Sequence, residues 1–376
     1  MSESKKIKVG VIGCGMISDA YFKAAQKFNV IEVVACTDTF PERAAEKEEL
    51  YGAKSMGYDE LLACEDIDIV INLTPPLAHS KVAMDTLNAG KHSYSEKPFG
   101  VDAEDAAKVI ALAKEKNLRV GCAPDTFLGS GQQTARKLID DGWIGKPLAG
   151  TAIVMGRGPE KWGQAPFFYD YGGGPMLDLG PYYVTALVNL LGPAESVTAV
   201  TTKFDDFRTL GPDVSPAYKD KYEPFGKYPV TVTTHLTGVI QFKCGAVITV
   251  ITSFDVYKHG HAPIEIYGSQ GTIQVPDPNT FGGPVKVYRP EVGEWETMAM
   301  PFPYKENSRS IGAADMAYGL ISGRQHRANG DLANHVLDIM LAFDKSSKSG
   351  AKYELTTTCD QPAALPLGLS EGFLDA

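Results

Sequence analysis

The sequence has no excess of basic residues, no long hydrophobic run and no closely spaced cysteine pair. Its 36 Lys and Arg are outnumbered by 46 Asp and Glu, for a formal net charge of −10. Nucleic acid and anionic membrane both need a basic face, so neither is expected as a partner. Apolar stretches such as IKVGVIG at 7–13 are strand-sized, well short of the ~20 residues that span a bilayer. The N-terminus, MSESKKIKVG, has two adjacent lysines but no long apolar run behind them, which reads as no signal peptide. The cysteines are Cys14, Cys36, Cys64, Cys122, Cys244 and Cys359, with no CxxC among them. Scattered in this way, they read as small buried hydrophobes in a reducing compartment, the cytoplasm. Internal repeats and low-complexity tracts are also absent.

What is present is length and alternation. The chain has 376 residues, more than the ~250–300 at which one core stops growing, so two domains are expected. Over 1–125, apolar strand runs alternate with amphipathic helices. Strands are expected at 7–13, 31–38, 66–74, 92–98 and 118–124, and helices at 16–28, 41–52, 59–64, 77–89 and 103–116. This order predicts a doubly wound parallel sheet, an α/β Rossmann domain. From 126 to 376 the pattern changes. After one helix at 134–142, strand-like runs with period-two alternation follow one another, with FKCGAV (242–247) as a hairpin turn. Segment 205–229 is polar and rich in Pro and Tyr, and reads as a long surface loop. Helices near 309–322 and 330–347 close the chain, with Asn329 as a candidate cap. The second domain is therefore expected to be α+β on a large, mainly antiparallel open sheet. Its C-terminal helices are placed to pack back on the first domain.

VGVIGCGMIS sets Gly13 and Gly15 between the first strand and the first helix. Gly13 suits a tight turn, and Gly15 lets backbone approach a pyrophosphate at the helix N-terminus. Met16 and Ile17 continue the turn, and Ser18 takes the third glycine position. Asp38, about 20 residues on, ends the second strand, where a carboxylate can accept both ribose hydroxyls. A carboxylate there repels a 2′-phosphate, which favours NAD. Arg43 nearby can accommodate that phosphate, so NADP is not excluded. Asp38 has a plainer reading as a cap on helix 41–52.

TPPLAH (74–79) and SEKPFG (95–100) stand at the ends of the strands at 66–74 and 92–98, whose carboxyl ends face the ligand crevice. Thr74, Pro75, His79 and Glu96 are therefore candidate cofactor contacts, although His79 also suits a local hydrogen-bonding role. Lys97 precedes Pro98, where a cis peptide is inexpensive. Beside a nicotinamide's positive charge, Lys97 is expected to have a lowered pKa and to relay protons.

Gly13-Cys14-Gly15, TPPLAH and Glu96-Lys97-Pro98 together resemble the Gfo/Idh/MocA oxidoreductases, as does the domain order. GGGPMLDLGPYY (172–183) is similar to that family's second catalytic segment. The resemblance implies an NAD(P)-dependent enzyme acting on a secondary alcohol or ketone of a sugar, cyclitol or related polyol. It implies Lys97 and Asp178 as catalytic residues. Many members have His four residues after the acid; this chain has Tyr182. As in relatives, a homodimer or homotetramer is expected.

On one helix, Asp178 and Tyr182 share a face and would point together at the nicotinamide. Pro181 opposes this: the helix would then restart there, with Asp178 on the lead-in turn. The glycines are expected to leave room for substrate and cofactor, and Tyr183 to be a packing aromatic. Tyr182 is read as the base, with its phenolate favoured by Lys97 and the oxidised nicotinamide. Asp178 orients Lys97 or a sugar hydroxyl, or is simply an acid at a helix N-terminus. In the alternative assignment Lys97 is the base. Trp162, with Lys161 and Tyr169, suits a sugar ring. His259 and His261 would share one strand face, more fitting for substrate hydroxyls than for a metal, and no metal site is expected. Asp125 receives no role. Two rival functions are an NAD-dependent glycoside hydrolase working by transient oxidation and a non-catalytic cofactor-sensing regulator.

Overall fold

The computed structural model describes residues 6–375. The reading of no signal peptide rests partly on residues 1–5, which, with residue 376, lie outside the described residues. Among the described residues, no helix is long and apolar enough to cross a membrane.

The first half alternates strand and helix: β1 (Ile7–Ile12), α1 (Ser18–Ala25), β2 (Ile31–Thr37), α2 (Pro41–Tyr51), β3 (Lys54–Ser55), α3 (Tyr58–Ala63), β4 (Ile69–Asn72), α4 (Pro76–Asn88), β5 (His92–Ser95), α5 (Ala103–Glu115) and β6 (Val120–Cys122). The strands pair in parallel in the order β3-β2-β1-β4-β5-β6. The order reverses between β1 and β4. Ligands of open α/β sheets bind in the crevice at that switch point. The short β3 has no periodicity to reveal it in sequence.

α6 (Ser130–Asp140) and β7 (Pro147–Met155) come next, then the short α7 (Ala165–Phe168), α8 (Gly174–Asp178) and α9 (Gly180–Leu191). β8 (Ala194–Thr202), β9 (Phe207–Thr209), β10 (Lys227–Pro229), β11 (His235–Phe242), β12 (Val247–Ser253), β13 (Ile264–Gly268), β14 (Thr272–Val275), β15 (Lys286–Tyr288) and β16 (Trp295–Thr297) follow. α10 (Ile311–Ser322), α11 (Gly330–Ser349) and β17 (Tyr353–Glu354) end the chain. The second sheet has nine strands in the order β16-β15-β14-β13-β7-β12-β11-β8-β17. All neighbours are antiparallel except β7 and β12. The hairpin between β11 and β12 turns at Gly245, with φ +93°.

α6 starts four positions earlier than the pattern suggests, at Ser130. Gly131 there lies against the Gly282 carbonyl, where a Cβ would collide. Its first turn is therefore polar and glycine-containing, yet buried. Segment 205–229 is not a bare loop: β9 and β10 pair within it. Arg208 anchors it through Asp255 and Glu160, and Tyr228 packs on Tyr169.

α9 and α11 pack together and α11 lies on β8. Val184, Leu187, Val188 and Leu191 of α9 are buried, at the helical spacing expected for a core face. α10 and α11 also reach the first sheet. Cys122 N donates to Ala328 O, and Arg119 donates to the Gly319 and Arg324 carbonyls. The Asn329 side chain caps α11 by accepting from Leu332 N.

Candidate active site

β1 ends in the glycine turn because Gly13 adopts φ +101°, and a Cβ would meet the Leu73 backbone at 2.8 Å. Gly15 has open space where a side chain would stand. The Ser18 hydroxyl donates to Gly15 O at 2.7 Å, so the third glycine position closes the turn by a hydrogen bond. Asp38 Oδ2 accepts from Cys14 N at 2.7 Å, and Oδ1 accepts from Phe40 N at 2.9 Å. Phe40, not Asp38, is the N-cap position of α2, so the capping reading of Asp38 is set aside. Arg43 Nη1 is 4.0 Å from Asp38 Oδ1, and its guanidinium stacks 4.4 Å over Phe40. Met16 is 75% exposed, and Ile17 and Leu77 also face outward at the ends of β1 and β4. Open backbone at Gly15, a carboxylate at the end of β2 and apolar side chains around the rim fit a bound dinucleotide.

Asn72 ends the apolar run of β4 and shapes the next turn. Its Oδ1 accepts from Thr74 Oγ1 at 2.6 Å and from Thr74 N at 3.2 Å. Nothing but a lone Asn in an apolar strand marks it in sequence. Pro75 is exposed at the N-cap position of α4. His79 departs from its expected place at the cofactor. It is 1% exposed, with Nδ1 2.7 Å from Pro98 O and Nε2 2.7 Å from Thr74 O. Both ring nitrogens are used internally, so His79 is a tie between two turns. Burial lowers its pKa, against the pull of those carbonyls. Glu96 is similarly engaged: Oε1 accepts from the Tyr21 hydroxyl at 2.7 Å and Oε2 from Lys97 N at 2.8 Å.

The Lys97–Pro98 peptide is cis. Lys97 Nζ donates to Asp178 O at 2.7 Å and to Asp178 Oδ1 at 2.9 Å. Lys97 Nζ also lies 5.2 Å from the centroid of the Tyr182 ring. Asp178 and Tyr182 do not share one helix. Pro181 stands in the first turn of α9, and the chain breaks at Leu179, so Asp178 ends α8. They meet at Lys97 from two helices. The protein's own groups act on the lysine in the direction opposite to the lowering expected beside a nicotinamide. Burial disfavours the ammonium, but Asp178, Tyr182 and Glu96 outweigh it, and the pKa is raised. Tyr182 is buried, 7% exposed, and burial raises its pKa; Lys97 and Arg309 pull the other way.

The glycine triplet is packed, not open. Gly172 lies against Val101 and Leu77, Gly173 against the Phe168 carbonyl, and Gly174 against Thr233 O. Tyr183 is buried. Tyr169 is also buried, its hydroxyl donating to Arg157 O, so it offers no sugar platform. Trp162 is exposed and meets Phe168 edge-on at 6.1 Å, one step from the Gly173 turn. His259 and His261 stack at 5.9 Å on the irregular segment after β12, not on a strand. Among the described residues, no group of three His, Cys, Asp or Glu is placed to hold a metal.

Two charged residues outside the sequence-derived site also stand here. Asp125 is buried and accepts from Ser310 N and Gly312 N at the start of α10. Burial pushes its pKa up to about 6, against the Gly312 N–H and Arg309. Arg309 Nη1 donates to Asn307 Oδ1 at 3.1 Å and Nη2 to Asn279 Oδ1 at 3.2 Å, and its positive charge favours the Tyr182 phenolate.

A parallel sheet with a glycine turn at its switch point, facing a lysine–carboxylate pair, defines a dinucleotide-dependent oxidoreductase. Residues 7–123 match the description "Oxidoreductase family, NAD-binding Rossmann fold", and residues 132–274 match "GFO/IDH/MocA C-terminal domain". The chain belongs to the Gfo/Idh/MocA family of oxidoreductases, whose Rossmann domain binds NAD. It is similar to the dTDP-3,4-didehydro-2,6-dideoxy-alpha-D-glucose 3-reductase of Actinomadura kijaniata, 31% identical over 194 residues, 51% of this chain and 58% of that one. It is also similar to the inositol 2-dehydrogenase of Salmonella paratyphi B, 33% identical over 159 residues, 40% of this chain and 45% of that one. The matched region thus spans about half the length of these relatives. In fold it resembles levoglucosan dehydrogenase in complex with NADH and levoglucosan, with a TM-score of 0.80 at 20% identity over 94% of this chain and 100% of that one.

Proposed function

We propose that this protein transfers hydride between NAD and a secondary alcohol or ketone of a sugar, glycoside or cyclitol. The observation that carries this reading is the Lys97–Asp178 pair beside Tyr182, beyond the carboxyl end of β5. Residues 1–125 form the cofactor domain and 126–376 the substrate and oligomerisation domain. NAD when bound accepts or donates the hydride. Gly13, Gly15, Met16 and Ile17 cradle its pyrophosphate side, and Asp38 takes the ribose. Arg43 leaves room for weak use of NADP. Thr74, Pro75 and the Glu96–Lys97 turn floor the nicotinamide side.

Asp178 engages two of the three Lys97 N–H donors. The third is available to a substrate oxygen. An ammonium so held is a poor base, which leaves Tyr182 as the proton acceptor. In alcohol oxidation its phenolate, having released a proton to solvent, takes the hydroxyl proton as hydride leaves the carbinol carbon. In reduction the neutral phenol returns it. Trp162 is the site's outer aromatic contact, and His259 a more distant hydroxyl partner.

A panel of hexoses, glycosides, sugar acids and inositols with NAD and NADP, followed by NADH absorbance, tests this reading. Turnover is expected with at least one class and with NAD ahead of NADP. Aglycone release without net NADH would favour the hydrolase instead, and cofactor binding without any turnover the regulator.

The face of the nine-stranded sheet opposite α11 carries Val200, 72% exposed, with Val239, Val247 and Tyr267 on the same side. Such a patch suits a second copy of the chain. Light scattering is expected to give a dimer or tetramer; a monomer at micromolar concentration would refute it.

A further inference from the structure

We propose that Phe40 is a cofactor-specificity residue: its ring holds the Arg43 guanidinium in a stack beside Asp38, and so withholds that cation from a 2′-phosphate. The inference rests on the reading of Asp38 as the ribose acceptor, and names what sets the choice between NAD and NADP there. Two residues at the start of α2 are locally out of place. Phe40 stands at the N-cap position, where a short polar side chain normally accepts from the first turn, and its side chain makes no such bond. Arg43 stands in the first turn, where the helix dipole disfavours a cation. Burial does not account for the ring either, since Phe40 is 49% exposed.

The two residues meet each other instead. The Arg43 guanidinium carbon lies 4.4 Å from the centre of the Phe40 ring, and Nη1 is 4.0 Å from Asp38 Oδ1. A planar guanidinium is attracted to an aromatic face. The backbone presets this arrangement. Pro41 follows Phe40 and confines it to extended backbone, at φ −105° and ψ 97°. Phe40 N donates to Asp38 Oδ1 at 2.9 Å, and Arg43 N donates to Phe40 O at 2.9 Å. Asp38 is fixed in turn by Cys14 N at 2.7 Å and by the Thr39 hydroxyl at 3.4 Å. Carboxylate, ring and guanidinium thus form one unit just beyond the end of β2.

Arginine recognises phosphate through its fork of N–H donors. A free guanidinium at this place would turn to a 2′-phosphate on the ribose that Asp38 takes. The Arg43 side chain is 44% exposed, so solvent and ligand can reach it. To reach that phosphate, however, it has to leave both the Phe40 ring and the Asp38 carboxylate. The carboxylate itself repels the phosphate. NAD carries a hydroxyl at the same position and needs no cation there. The stack therefore lowers NADP affinity and leaves NAD affinity alone.

The test titrates NADH and NADPH against the full chain and reads dissociation constants from nicotinamide fluorescence, so no turnover is needed. Wild type is compared with Phe40→Ala, Phe40→Tyr, Arg43→Ala and the double variant Phe40→Ala with Arg43→Ala. Phe40→Ala is expected to tighten NADPH about tenfold relative to NADH, the lower end for a hydrogen bond to a charged group. Phe40→Tyr keeps the ring and should keep the wild-type ratio. In the Arg43→Ala background, Phe40→Ala should leave the ratio where it was. An unchanged ratio in Phe40→Ala overturns the inference. So does a gain that survives without Arg43, because Phe40 would then act by bulk alone. If Phe40→Ala does not fold, Phe40→Leu puts the same question with the bulk retained. Failure of the wild type to bind NADH would instead overturn the cofactor reading beneath the inference. NADH binding without turnover of any sugar would overturn only the proposed reaction, and the ratio would still judge Phe40.

Discussion

Tyr182→Phe is expected to lower kcat for alcohol oxidation by about 10²–10⁴-fold, the usual contribution of a positioned acid–base group. NAD affinity should be unchanged. The substitution removes one oxygen and keeps the ring, so the packing of a 7%-exposed side chain is retained. It also keeps the ring face that lies 5.2 Å from Lys97 Nζ. What is lost is the hydroxyl read here as the proton acceptor, whereas Lys97 is held in an ion pair with Asp178. Single-turnover measurements at saturating NAD check the result, because they separate hydride transfer from product release. A variant that keeps nearly full turnover would return the base to Lys97, against the direction of its pKa.

Lys97→Ala is expected to be nearly as damaging, for a different reason. It should lower kcat by about 10²–10³-fold and destabilise the fold by roughly 1–3 kcal/mol. The stability loss arises at Asp178, left in a partly buried place without the ammonium that satisfies both its carbonyl and its carboxylate. The Lys97 pKa is raised, so the stabilisation is fully present below the ordinary lysine value of about 10.4 and fades only as pH rises through the folded value. Thermal melts of wild type and variant should therefore differ by a constant amount across neutral pH. Asp178→Asn is the control. It removes the negative charge but keeps the backbone acceptor, and should fall between the two.

What could be read from sequence was what neighbouring residues determine together. The glycine turn, Asp38 at a strand end and Lys97 before Pro98 lie within or beside short apolar strands whose parallel order follows from the alternation. Residues whose role depends on remote partners were not legible. Asp125 received no role because the backbone groups it holds, Ser310 N and Gly312 N, are remote in sequence. The glycines at 172–174 looked like open space because their neighbours, Leu77, Val101 and Thr233, are distant in sequence. Lys97 was expected to lose proton affinity beside the nicotinamide's positive charge; within the protein itself, the carboxylate placed against it by the break at Leu179 acts in the opposite direction. His259 was expected on a strand that in fact ends at Ser253.

The buried imidazole of His79 has a mechanical consequence. It is fastened to the carbonyls of Thr74 and Pro98, so the turns after β4 and β5 cannot slide past one another. The Thr74–Pro75 turn and Lys97 are therefore tied together as one jaw. Relative motion between the sheets would be taken up at the other jaw, α8 and α9, where one ion pair and the close fit of Gly172 against Leu77 and Val101 form the seam.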